Sequence, residues 1–194
     1  MDLLGFFIAL VIIFIFLYII AKRFDDVANT PKKKKLRKVY IDGNGFPSFE
    51  KEYKHILSSN KEINERYELQ FVNPIDADIF IHLVPRENME KMHTGKIETY
   101  EDGSRIWFSW TYKFDKPRIF IDQMNWFEGV EKSGLKVPQY RQYVALHEFM
   151  HALGFDHQPC ETKVCPIMYQ ATRGPPKGKK AGYNITPLDW TKTF

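Results

Sequence analysis

The chain has 194 residues and a formal net charge of +4, a length that holds one domain of ordinary size with short additions. The charge is unevenly spread: residues 22–38 carry eight Lys or Arg against Asp25 and Asp26, a net +6, and Asp2 lowers the subtotal to +5. Residues 39–194 therefore carry about −1, which argues against a nucleic-acid binder, since such a protein needs its basic face on the folded part.

Leu3 to Ala21 is an uncharged stretch of 19 residues. As a helix it would span ~28 Å, close to the ~30 Å hydrocarbon core of a bilayer. A cleaved signal peptide is the alternative, but that would begin with basic residues and end at a small-residue cleavage site. This chain begins Met1-Asp2, and Ile19-Ile20-Ala21-Lys22 makes a poor site. The expectation is a retained transmembrane anchor over residues 1–21, making the membrane a partner through a single N-terminal span, followed by a basic juxtamembrane linker over 22–37. That linker either contacts anionic lipid headgroups, at about 1 kcal/mol per charge, or acts only as a topology signal. The positive-inside rule keeps it, and the domain that follows, on the cytosolic side.

A folded domain is expected over 38–194. Lys38 to Asp42 reads as a strand, and Gly43-Asn44-Gly45 as a turn. Pro47 to Ser59 reads as a helix with Phe49, Tyr53, Ile56 and Leu57 on one side. Strands follow at Glu68 to Val72 and Ala77 to Val84, separated by the breaker Asn73-Pro74. Ile97 to Tyr100 and Arg105 to Tyr112 flank Asp102-Gly103, a short-hairpin signal. Arg118 to Asp122 is a further strand. The order of elements predicts an α/β (α+β) sandwich with a mixed sheet.

The run from Gln139 leads into His147-Glu148-Phe149-Met150-His151-Ala152-Leu153-Gly154-Phe155-Asp156-His157. Apolar residues at Tyr140, Tyr143, Val144, Phe149, Met150 and Leu153 follow helical spacing. Side chains four apart on a helix lie one above the other, so His147 and His151 point the same way, about 6 Å apart along the axis. Two imidazole nitrogens can then reach one cation at roughly 2.0–2.1 Å. Glu148 is turned by about 100° and can act as general base toward a water on that cation. Gly154 lets the chain leave the helix and return His157 as a third ligand. Three ligands leave a coordination position open, as in catalytic rather than structural zinc. His55, His82 and His93 lack this spacing and read as ordinary surface or satisfied histidines. Cys160 and Cys165, the only cysteines, could form a small disulfide loop, remain thiols as in most cytosolic domains, or bind metal.

The eleven-residue stretch resembles the metzincin signature H-E-x-x-H-x-x-G-x-x-H. Cys165-Pro166-Ile167-Met168-Tyr169, with Met168 placed 11 residues after His157, resembles the Met-turn that follows it. The resemblance to a matrixin-like catalytic domain covers the chain from about residue 38. It implies a metzincin-like zincin fold, a twisted mixed sheet with an active-site helix, and a Zn2+ cofactor on His147, His151 and His157. It also implies Gly154 at the turn, Met168 beneath the ion, Glu148 as the catalytic residue, and a peptide or protein substrate. In that family an edge strand pairs with extended substrate; the Ile106 to Trp110 region is the candidate, although Trp107 and Trp110 could equally be core or cross-strand partners. Membrane-anchored relatives usually face outward, against the charge bias. Tyr169 falls one residue short of the zinc-reaching tyrosine of astacin-like members. The second, structural zinc of other members is not expected here. No cysteine precedes residue 147, so cysteine capping of the zinc by a propeptide is not expected either. Arg173 to Lys180 reads as a flexible loop forming a wall of the cleft, and Thr186-Pro187 as the start of a short last helix.

The expected activity is therefore hydrolysis of peptide bonds by a zinc endopeptidase. The alternative is a membrane-anchored interaction or assembly protein that keeps a structural zinc on the same scaffold.

Overall fold

The computed structural model describes residues 13–20, 22, 34–92, 98–113, 115–186 and 190. They fall in two units, one before Lys34 and one from Lys34 onward. In the first, residues 13–20 are helical, with Phe14, Phe16 and Tyr18 exposed. Among the described residues no helix is long and apolar enough to cross a membrane; the expected anchor over 1–21 lies largely outside them.

In the second unit, β1 (Lys35–Asp42), β2 (Tyr67–Phe71), β3 (Ile79–Val84), β4 (Trp110–Tyr112) and β5 (Arg118–Asp122) form one mixed sheet in the order β2-β1-β3-β5-β4. All neighbours are parallel except β4, which runs antiparallel to β5 with Trp110 opposite Phe120 and Tyr112 opposite Arg118. β1 begins three residues before the expected start at Lys38, because Lys35, Leu36 and Arg37 pair with Tyr67, Glu68 and Leu69.

Alternation along the strands sends Val39, Ile41, Ile79, Ile81, Leu83, Ile119 and Ile121 to one face, where they are buried. Covering that face are α1 (Pro47–Ser59), which contributes Phe49, Tyr53 and Leu57, and α5 (Val137–Ala152). α1 has the expected limits, with Pro47 at its first turn, where a missing N–H costs nothing. The Tyr53 hydroxyl crosses to donate to the carbonyl of Ala145 at 3.0 Å, tying α1 to α5. On the opposite face His82 stacks on Phe120, with ring centroids 5.6 Å apart, and its Nδ1 lies 3.5 Å from Asp42 Oδ2.

Three short helices have no strong apolar period and were not expected. α2 (Lys61–Arg66) starts where Asn60 accepts from the Ile63 N–H, and α4 (Gln123–Glu128) where Asp122 accepts from the Asn125 N–H. α3 (Arg86–Met92) follows β3 directly.

The expected hairpin is corrected. Its turn forms: Gly103 has φ +80°, and its N–H donates to Tyr100 at 3.0 Å. Among the described residues the flanks share the isolated bridge of Thr99 and Arg105, and Ile97 lies outside them. The edge strand is Trp110–Tyr112 rather than Ile106–Trp110. Residues before it are held by side chains instead of a ladder, with Asn125 donating to the Trp107 carbonyl at 2.8 Å and the Asp122 N–H donating to Ser109 Oγ at 3.2 Å. Residues 187–189 and His93 are outside the described residues, so the last helix is not described.

Candidate metal centre

α5 starts two residues before Gln139, and its first turn is closed by the Gln139 side chain, which accepts from the Lys136 N–H at 3.1 Å. Every residue from Tyr143 to His151 is buried, so the helix runs through the core and delivers its polar side chains to a single cleft. At its end Gly154 adopts φ +100°, a conformation that glycine enters without a side-chain clash. The Phe155 N–H then donates back to Met150 at 3.1 Å. This reversal returns His157 toward His151.

The ligand nitrogens of His147, His151 and His157 lie within 4.8 Å of one another. Nδ1 of His147 faces the Ile167 carbonyl at 2.8 Å, and Nδ1 of His151 faces the Phe155 carbonyl at 2.7 Å. Each carbonyl can only accept, so each Nδ1 carries the hydrogen and each Nε2 presents its lone pair. Nε2 of His151 and Nε2 of His157 are 3.1 Å apart. Burial, the leading cause, lowers all three imidazole pKa values: His147 well below its ordinary range, His151 to about 4, and His157 more modestly. The trio is therefore neutral near pH 7.

Glu148 is 3 % exposed and faces the same cleft, a volume of about 380 Å³ also lined by Phe108, Trp110, Tyr143, Val144 and Thr172. Thr111 Oγ1 donates to its Oε2 at 2.7 Å, and the same hydroxyl lies 3.0 Å from the Glu148 carbonyl. Burial raises the Glu148 pKa to about 7, against smaller lowering effects of the Thr111 bond and Lys113.

Met168 is fully buried, and its carbonyl accepts from the Gln158 N–H at 3.0 Å, so the turn that carries it is fastened to the residue after His157. Cys160 and Cys165 are joined in a disulfide between these two points. The Tyr169 hydroxyl donates to the Gly174 carbonyl at 3.1 Å, which directs it to the chain after the turn.

Residues 45–186 match a family described as "Protein of unknown function (DUF3152)". The chain belongs to the DUF3152 family. No curated protein matches it. The matched span contains all three histidines, Glu148, Gly154 and Met168 of this DUF3152 member.

The donor set fits a zinc ion. Two ligands at ~2.0–2.1 Å in a tetrahedron sit roughly 3.3–3.4 Å apart, near the 3.1 Å between the His151 and His157 nitrogens. Neutral imidazoles with fixed tautomers are the ligand form, and backbone carbonyls on the far nitrogens are the usual outer support. His147, Glu148 and His151 were legible because α5 carries them at fixed spacing, and His157 because Gly154 stands where the chain must turn. Sequence reasoning missed Thr111 and Lys113. Lys113 Nζ donates to Asp156 Oδ1 at 2.6 Å and to the Phe155 carbonyl at 3.2 Å, bracing the turn before His157. It missed Tyr143 as well, whose hydroxyl donates to the Tyr169 carbonyl and accepts from the Ala171 N–H. All three depend on contacts between distant parts of the chain, for which no local signal exists.

Proposed function

We propose that this chain is a zinc-dependent endopeptidase of metzincin type, membrane-anchored through residues 1–21 and acting on extended peptide or protein substrate. The observation that carries the reading is the buried carboxylate of Glu148, which faces one cleft with three imidazoles whose free nitrogens converge. His147, His151 and His157 would hold the ion. Zinc bound there would supply Lewis acidity toward a scissile carbonyl.

The remaining steps belong to the chain's own residues. Glu148 removes a proton from the attacking water and returns it to the leaving amine, so that one water and one peptide bond yield an acid and an amine. β4 pairs with β5 on one side only among the described residues. At this edge of the sheet a substrate backbone would run alongside the cleft, by strand addition. Fixed Nδ1 partners keep the imidazoles of His147 and His151 from turning during these steps. A purely structural zinc would have no use for a buried carboxylate beside it, since burying one without a role costs stability.

The test uses the full chain and a quenched fluorescent peptide library, with zinc measured by mass spectrometry. One zinc per chain is expected, with cleavage abolished by chelator and restored by zinc. Glu148→Ala should lower turnover by about 10²–10⁴-fold with zinc content unchanged. A chain that takes up no zinc, or an alanine variant that cleaves like the parent, overturns the reading.

A further inference from the structure

Thr111 is the middle residue of β4 and stands opposite Ile119 in the ladder with β5. Strand alternation turns its side chain toward α5, away from Trp110 and Tyr112, which share the opposite face with Phe120 and Arg118. A β-branched side chain on a paired strand has little rotamer freedom. Its hydroxyl is thereby fixed 2.7 Å from Glu148 Oε2 and 3.0 Å from the Glu148 carbonyl. Lys113, two residues on, reaches the Phe155–Asp156 turn on the same side. One edge segment therefore touches both the carboxylate and the turn that leads to His157.

We propose that Thr111 is a positioning residue for Glu148, holding the carboxylate in one place beside the three histidines. The inference rests on the hydrolase reading above. A hydroxyl has one hydrogen to give. It donates to Glu148 Oε2, and the Glu148 carbonyl is a second oxygen within its reach. Both oxygens belong to Glu148, so the threonine holds that side chain against its own backbone. Valine has the same shape and no hydrogen to give; serine can donate, with a looser rotamer.

The test compares Thr111→Val and Thr111→Ser in the full zinc-loaded chain, on the best-cleaved member of the peptide library. The valine variant should lose at least tenfold in kcat, with KM within about twofold and one zinc per chain retained. The serine variant should keep kcat within about threefold of the parent. A second readout is independent of turnover: melting temperatures of the metal-free chain in a cycle of Thr111→Val, Glu148→Met and the double variant. Coupling through the hydroxyl makes the two changes non-additive by several degrees. A parent that cleaves while the valine variant matches its kcat, a serine variant as impaired as valine, or strict additivity in the cycle overturns the role of Thr111 alone. A parent that loads zinc and cleaves nothing overturns the hydrolase reading and this role with it.

Discussion

Glu148 shows how a single side chain can weigh against the fold that carries it. Burial raises its pKa to about 7 from an ordinary 4.5. The folded state therefore binds the proton more tightly than the unfolded chain. Stability from this group is fully present below pH 4.5 and is lost as pH rises through 7. Glu148→Gln removes that dependence. In metal-free protein at pH 8 the glutamine variant should be the more stable by about 3 kcal/mol, and the gap should close below pH 4.5, as read by denaturant titration at the two pH values. The imidazoles run the other way. With folded-state pKa values below 6.5, they favour folding above that pH and cease to do so as pH falls toward 4, the value for His151. Both effects therefore fall between about pH 4 and 7, in opposite senses. Spacing along one helix made His147, Glu148 and His151 legible in sequence, and the glycine after it His157. Thr111 was not, because 37 residues separate it from the carboxylate it touches.

The elements divide along the same line. α1 and β5 were legible to the residue, since each carries its own pattern: a helical stripe with proline at the start, and a five-residue alternation. The hairpin was legible at its turn but not in its extent, because Trp110–Tyr112 finds its partner in β5, later in the chain, and a local turn signal carries no information about that choice. α4 was missed because it is a one-and-a-half-turn helix held by a buried cluster at its start. Asp122, fully buried, accepts from Arg86 Nη2 at 2.7 Å and from Nε at 3.1 Å, while Arg86 Nη2 also donates to Asn125 Oδ1 at 2.6 Å. Asp122 thus caps α4, ends β5 and anchors the helix after β3. Replacing it by alanine leaves the arginine without its bidentate partner and the helix without a cap. That should cost about 3–5 kcal/mol in thermal or denaturant melts. Asp122→Asn, which keeps the cap, should cost less.

At the scale of the unit from Lys34 onward, the described residues form a sheet with α1 and α5 over one face and a cleft at the β4 edge, and the family match spans the centre of that cleft. The sequence order of strands and helices made this layer arrangement legible. Its parallel strand order was not, because crossover connections leave no mark in local periodicity. The bond between Cys160 and Cys165 bears on the chain as a whole. Glutathione and thioredoxin strip such links from proteins they can reach. On the proposed anchored reading, a link that lasts in cells would put the domain on the exterior side, opposite to the side favoured by the lysines at 22–38. Maleimide mass-tagging of unreduced cells should add no tag to the denatured chain, and two tags after reductant; two tags without reductant would return the domain to the cytosol. On the exterior reading the basic stretch would travel outward with the domain, and the charge bias at 22–38 would no longer report its side.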